Sequence, residues 1–181
     1  MTRHWTNKWL CVWCTVAVVA AGALAHAAQA LRIVPLVHDD EVLVSFEVAD
    51  GYTSDVRDAI SSGLKTTFSY DVELRMIAHM WVDPLVEKAV VSVSDKYDNL
   101  TRRHTLSRTV DGREQDSITT ENEATVRQWL TSLDKVTICR TTRLEANREY
   151  YVRVSARVPS QSSFLGRTTA MVGRAPFTFI Q

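Results

Sequence analysis

Between Phe68 and Met80 every second residue is apolar: Phe68, Tyr70, Val72, Leu74, Met76, Ala78 and Met80. Ser69, Asp71, Glu73 and Arg75 stand between the first of them. A period of two sends successive side chains to opposite faces of a strand, so the run predicts a long, half-buried β-strand. At ~3.3 Å per residue it would extend about 43 Å, which is long for one flat strand. A bend or bulge is therefore expected near Arg75 to Ile77, where the outer face changes character. Beyond Arg75 the polar positions give way to Ile77, His79 and Trp81, with Asp83 two residues further on. That end is either buried on both faces or presents an exposed apolar strip holding a histidine. Ile77, His79, Trp81 and Asp83 are accordingly candidate partner-binding residues.

The neighbouring segments also read as β-structure. Leu31 to Val37 is β-prone, and Pro35 within it suits an edge strand. Glu41 to Ala49 alternates through Val42, Val44, Phe46 and Val48. Thr53 is a good helix N-cap, Asp55 suits the first turn, and Val56, Ala59, Ile60 and Leu64 recur at helical spacing up to Gly63. After Asp83-Pro84, strands are expected from Val86 to Tyr97 and from Thr101 to Val110. Asp111-Gly112 then predicts a type I′ hairpin turn into Arg113 to Thr119.

Thr120 and Glu123 fit a capping box ahead of a second helix carrying Val126, Trp129, Leu130 and Leu133. Val136 to Thr141 and Glu149 to Val158 read as further strands. Pro159 to Pro176 reads as a mobile loop, and a last strand is expected at Phe177 to Ile180. Tight turns between most strands predict a mainly β (α+β) fold. An antiparallel β-sandwich or curved meander sheet with two short helices is the economical architecture.

The first thirty residues have the layout of a secretory signal peptide. Arg3 and Lys8 precede a 16-residue apolar run from Trp9 to Leu24, and Ala-x-Ala patterns follow at Ala25 and Ala28. The run is short of the ~20 residues of a membrane span, so cleavage before Leu31 and export to the periplasm or beyond are expected. Membrane contact would arise only if that segment were kept. The expected organisation is a signal peptide at 1–30, one β-rich domain at 31–158, and a flexible tail with its last strand at 159–181. Losing Arg3 and Lys8 and no acids leaves 19 basic against 21 acidic residues, a balance that gives no reason to expect nucleic acid as a partner. Cys139 is then the one remaining cysteine, expected to be buried as a small hydrophobe.

No chemical motif stands out beyond residue 30. There is no G-x-S-x-G, no glycine-rich phosphate loop, no H-E-x-x-H and no C-x-x-C. No cofactor, metal or catalytic residue is therefore assigned. His38 to Glu41 cannot converge on one ion as adjacent strand residues, and Asp95, Asp98 and Asn99 read as turn formers. Arg102, Arg103, His104, Arg108 and Arg113 make one locally basic stretch. On a strand Arg102, His104 and Arg108 would share a face, expected to be solvated with cross-strand pairs to Glu114 or Asp116. Arg102 and His104 complete the candidate partner-binding set.

Several phrases together carry a resemblance: LVSFEVAD at Leu43, DVRDAISSGL at Asp55, TFSYDVEL at Thr67, KYDNLTRRHTLSR at Lys96 and REYYVRVSARV at Arg148. Over about Arg32 to Val158 the chain resembles an uncharacterised family of exported bacterial proteins known only as a domain of unknown function. That resemblance implies export and suggests an envelope protein, such as a membrane sensor kinase, as partner. It brings no activity, cofactor or catalytic residue. The expectation is an exported, non-enzymatic domain that binds a protein or envelope component through its β-sheet. The alternative is a small-ligand carrier or an envelope hydrolase using His79 or His104 with a nearby carboxylate. A concave pocket where histidine and carboxylate converge would favour the alternative, and an uncovered apolar strip or open strand edge the first.

Overall fold

The alternation of buried side chains builds two antiparallel sheets, seen in a computed structural model that describes residues 31–78, 82–159 and 169–180. Strands β1 (Leu31–His38), β2 (Glu41–Val48) and β7 (Ser132–Arg140) form the small sheet in the order β1-β2-β7. The large sheet has β3 (Thr66–Met76), β4 (Leu85–Asp98), β5 (Arg103–Val110), β6 (Arg113–Thr120), β8 (Arg148–Val158) and β9 (Thr169–Phe179). Its order is β6-β5-β4-β3-β8-β9, so the expected meander runs from β3 to β6 and β8 closes on the other side of β3. Helix α1 (Ser54–Ser61) carries the chain from β2 to β3, and α2 (Glu123–Thr131) carries it from β6 to β7.

The opening alternation is realised in β3, where Phe68, Tyr70, Val72 and Leu74 are fully buried. They meet the inner face of the small sheet, where Phe46 packs edge-on against Tyr70 with ring centroids 4.9 Å apart. Val42, Val44 and Val48 continue that face. Each fully buried side chain of this kind stabilises by about 1.5–3 kcal/mol. An exposed ion pair such as Arg57–Glu123 adds under about 1 kcal/mol. The apolar interface between the sheets therefore holds the fold.

Several boundaries differ from those expected. The long strand stops at Met76, with a register shift against β4 between Leu74 and Arg75, close to the anticipated bulge. Thr120 is the last residue of β6 and not the helix cap. Its Oγ1 accepts the Asn122 N–H, and Asn122 caps α2 by accepting the Ala124 N–H at 2.8 Å. Leu133 belongs to β7, because α2 ends at Thr131.

Residues 169–176, expected as loop, are strand. β9 pairs with β8 along its whole length, from Val158 opposite Thr169 to Arg148 opposite Phe179. Residues 169–180 thus belong to the same compact unit as the strands before them, and the domain does not end at 158. Close packing explains the small residues there: a Cβ on Gly173 would lie 2.9 Å from both Ile33 Cδ1 and Leu31 Cδ2.

Candidate functional site

The inner face of β4 does not end with Val91 and Val93 but continues through Asp95 and Tyr97. Asp95 is 0 % exposed. On β5, Leu106 stands opposite Asp95 and His104 opposite Tyr97. His104 Nδ1 reaches diagonally to Asp95 Oδ2 at 2.8 Å, and its ring lies 4.5 Å from that of Tyr97. With the carboxylate as acceptor the proton sits on Nδ1, leaving Nε2 as the imidazole's other polar atom. Burial pushes the Asp95 carboxyl above the usual carboxylate range, while the hydrogen bond and charge of His104 pull it back. Asp95 Oδ1 has no hydrogen-bond partner among the described residues.

Above this pair lies a cleft of about 310 Å³, where the sheet meets the start of α1. Tyr97 and His104 line it from the sheet, and Tyr52, Arg57, Ile60 and Ser61 line it from the helix side. The local sequence explains the placement: Thr53 Oγ1 accepts the Val56 N–H and starts α1, which turns Val56 and Ile60 into the core. Two ion pairs stand around the opening, Arg57–Glu123 at 2.9 Å and Arg103–Glu121 at 3.0 Å. Arg57 also lies 5.8 Å from the Tyr52 ring centroid. Burial first, and then the negative charge of Glu123, push the Tyr52 phenol above its ordinary value.

Two aromatic faces, a guanidinium and an imidazole around a hollow can grip a side chain or small ligand. A histidine hydrogen-bonded to a buried carboxylate can also serve as a general base. Ser61 lines the same cleft, but its Oγ donates to the Asp58 carbonyl at 2.9 Å. Among the described residues no hydroxyl or thiol hydrogen-bonds to His104, and no three metal-ligating side chains converge.

The expected site residues separate into two groups at opposite ends of β4. At one end Asp83 ties the β3–β4 connection together. Its Oδ1 accepts the Ala78 N–H at 3.0 Å and its Oδ2 accepts the Tyr151 hydroxyl at 3.0 Å. These bonds, the Ala78 N–H first, hold its carboxyl below the usual range. Ile77 is half-buried, with its N–H donating to the Glu149 carbonyl at 2.9 Å. His79 and Trp81 lie outside the described residues. Both carboxylate oxygens of Asp83 are thus engaged within the fold.

At the other end, Arg102 sits in the turn before β5 with φ +57, exposed and off the strand. His104 and Arg108 share a face as expected, but it is the inner one, with the buried Leu106 between them. Arg108 stands opposite Asp116 without pairing to it and lies against Trp129 instead. The solvated basic face is therefore corrected: α1 and α2 cover it. Asp95 was missed as a site residue because its neighbour Asp98 is a turn former, accepting the Leu100 N–H at 2.8 Å. Carrying the Val91–Val93 alternation two positions further would have found it.

No curated protein and no solved structure matches this chain. Its sequence does match a family described as a domain of unknown function (DUF4390) over residues 25–163, and the chain belongs to that family.

Proposed function

We propose that the protein is an exported, non-enzymatic binding domain that takes a group of a protein partner into the cleft over Asp95 and His104. The observation that carries this reading is the make-up of the cleft. Tyr52, Tyr97, His104 and Arg57 surround a concave centre, and exposed ion pairs ring it. Aromatic and arginine anchors inside a polar rim are the anatomy of protein interaction sites. The charged, exposed ends of the surrounding side chains suit an aqueous compartment. The sequence layout before Leu31 supports export.

The reading is tested by placing a photo-crosslinking residue at Ser61, on the cleft, and at Glu114, on the exposed edge strand β6. The same adduct from Ser61 and not from Glu114, lost when Tyr97→Ala is added, is the expected result. Equal adducts from both positions, or none, count against it. N-terminal sequencing of the exported protein should return Leu31.

The His104–Asp95 distance of 2.8 Å favours one second reading, an envelope hydrolase in which His104 activates water. Turnover of an ester or amide probe that disappears in His104→Ala would select it over the first.

A further inference from the structure

Arg108 lies on the core side of the large sheet, opposite the buried Val93. Its guanidinium carbon stands 4.4 Å from the ring centroid of Trp129 on α2. The residue is half-buried, yet it forms no ion pair and donates no hydrogen bond among the described residues, and its Nε is enclosed without a partner. The Trp129 indole Nε1 is likewise enclosed and unpartnered. A cation partly withdrawn from water with no direct ion pair is costly, and stacking on an indole offsets only about 0.5–2 kcal/mol of that.

The same two residues line a hollow of about 170 Å³, with Thr125, Gln128, Ser132 and Asp134 completing it. Among the described residues only the Nε of its guanidinium is enclosed and unpartnered, which leaves the two Nη atoms to face the hollow that Arg108 lines. Two hydroxyls and an amide around them are neutral hydrogen-bonding groups.

We propose that this hollow is a carboxylate-binding site, with the two Nη atoms of Arg108 taking the two carboxylate oxygens end-on. The planar fork of a guanidinium matches a carboxylate in that way, and the Trp129 ring holds its plane fixed. Asp134 in the lining and Asp116 opposite Arg108 add negative charge, which selects a single-charged carboxylate over a phosphate dianion. The carboxylate belongs either to a small free acid or to the C-terminus of a peptide. The site is separate from the His104 cleft.

The test is a titration of the full chain with acetate, following the Trp129 indole N–H and the Arg108 Nε–H by ¹H–¹⁵N NMR. Both resonances should move along one saturable curve, and Arg108→Lys should weaken it roughly tenfold or more by removing the fork. Phosphate should compete poorly. A peptide with a free C-terminal carboxylate that reproduces the shifts, where its amide does not, assigns the site to peptide ends; a response to acetate alone assigns it to small acids. Linear drift equal to that of a chloride titration would overturn the proposal and leave Arg108 as a clamp on α2. Saturation by phosphate equal to that by acetate would overturn it too, as would a curve unchanged in Arg108→Lys. If that variant fails to fold, the wild-type titrations decide the matter.

Discussion

Asp95 and His104 meet diagonally across neighbouring strands, Oδ2 to Nδ1 at 2.8 Å, although Leu106 and not His104 stands opposite Asp95. Diagonal neighbours on one face of a sheet lie within reach of long or aromatic side chains. The pair therefore depends on both residues pointing inward from adjacent strands, and a one-residue slip of β5 would part them.

The first prediction concerns pH. Burial raises the folded Asp95 carboxyl above its unfolded value, so the folded state binds that proton more readily. The stability this group contributes is then full below the unfolded pKa of about 4 and is lost as pH rises through the folded one. Asp95→Asn does not titrate. Urea unfolding of both proteins between about pH 4 and pH 7 should show the wild type losing stability relative to the variant as pH rises. A gap that moves the other way would mean that ion pairing with His104 outweighs burial.

A second prediction tests how the helical end is tied to the sheet. The Tyr70 hydroxyl, fully buried on β3, donates to the Leu130 carbonyl near the end of α2. Burial alone pushes its phenol well above the ordinary value, so it remains a donor at any physiological pH. Tyr70→Phe keeps the ring packed on Phe46 and orphans a buried carbonyl. A loss of about 1–3 kcal/mol is expected from the shift in urea midpoint. A loss below a few tenths would show that Leu130 finds another donor.

Much of the fold was legible because its strands are covered on one face, and a period of two then appears directly in the residues. The Asp111-Gly112 turn was legible for a separate reason, since both residues take positive φ, +49 and +79. β9 was hidden because its inward positions include Gly173 and Ala175, small residues chosen for close packing on β1 and weak as a hydrophobic signal. The candidate site was only half legible. His104 was visible as a histidine on a strand, but Asp95 lies in a polar phrase whose other members do make a turn. Which face of β5 is covered depends on α1 and α2 folding over it, and no local pattern within β5 carries that information.

A third prediction follows from the corner where Asp83 holds the Ala78 N–H and the Tyr151 hydroxyl. Its carboxyl is held below the ordinary range by those donors, so its contribution is present above the unfolded pKa and lost as pH falls through the folded one. At neutral pH, Asp83→Ala should speed amide hydrogen exchange at Ala78 while leaving exchange in the β3–β4 core near Val72 unchanged. Unchanged protection at Ala78 would show that the backbone holds this connection without the carboxylate.

The last prediction concerns Cys139, the one cysteine among the described residues. It is buried on β7, next to Ile138, with the Arg143–Glu87 pair among the charged groups around it. Burial pushes its pKa up to about 11, Glu87 pushes the same way, and Arg143 opposes them. The thiolate is the species that attacks disulfides and alkylating agents, so at neutral pH the folded protein holds this sulfur in its inert form as well as out of reach. Peptide-resolved mass spectrometry after iodoacetamide treatment should find Cys139 unmodified in the folded protein and fully modified in urea. At pH 9 an exposed thiol is mostly thiolate while folded Cys139 is still only about 1 % thiolate, so its alkylation should stay far slower than an exposed thiol's at either pH. Rapid alkylation without denaturant would mean that β7 opens on the timescale of the reaction. The thiol would then be available for disulfide pairing between molecules in an oxidising compartment.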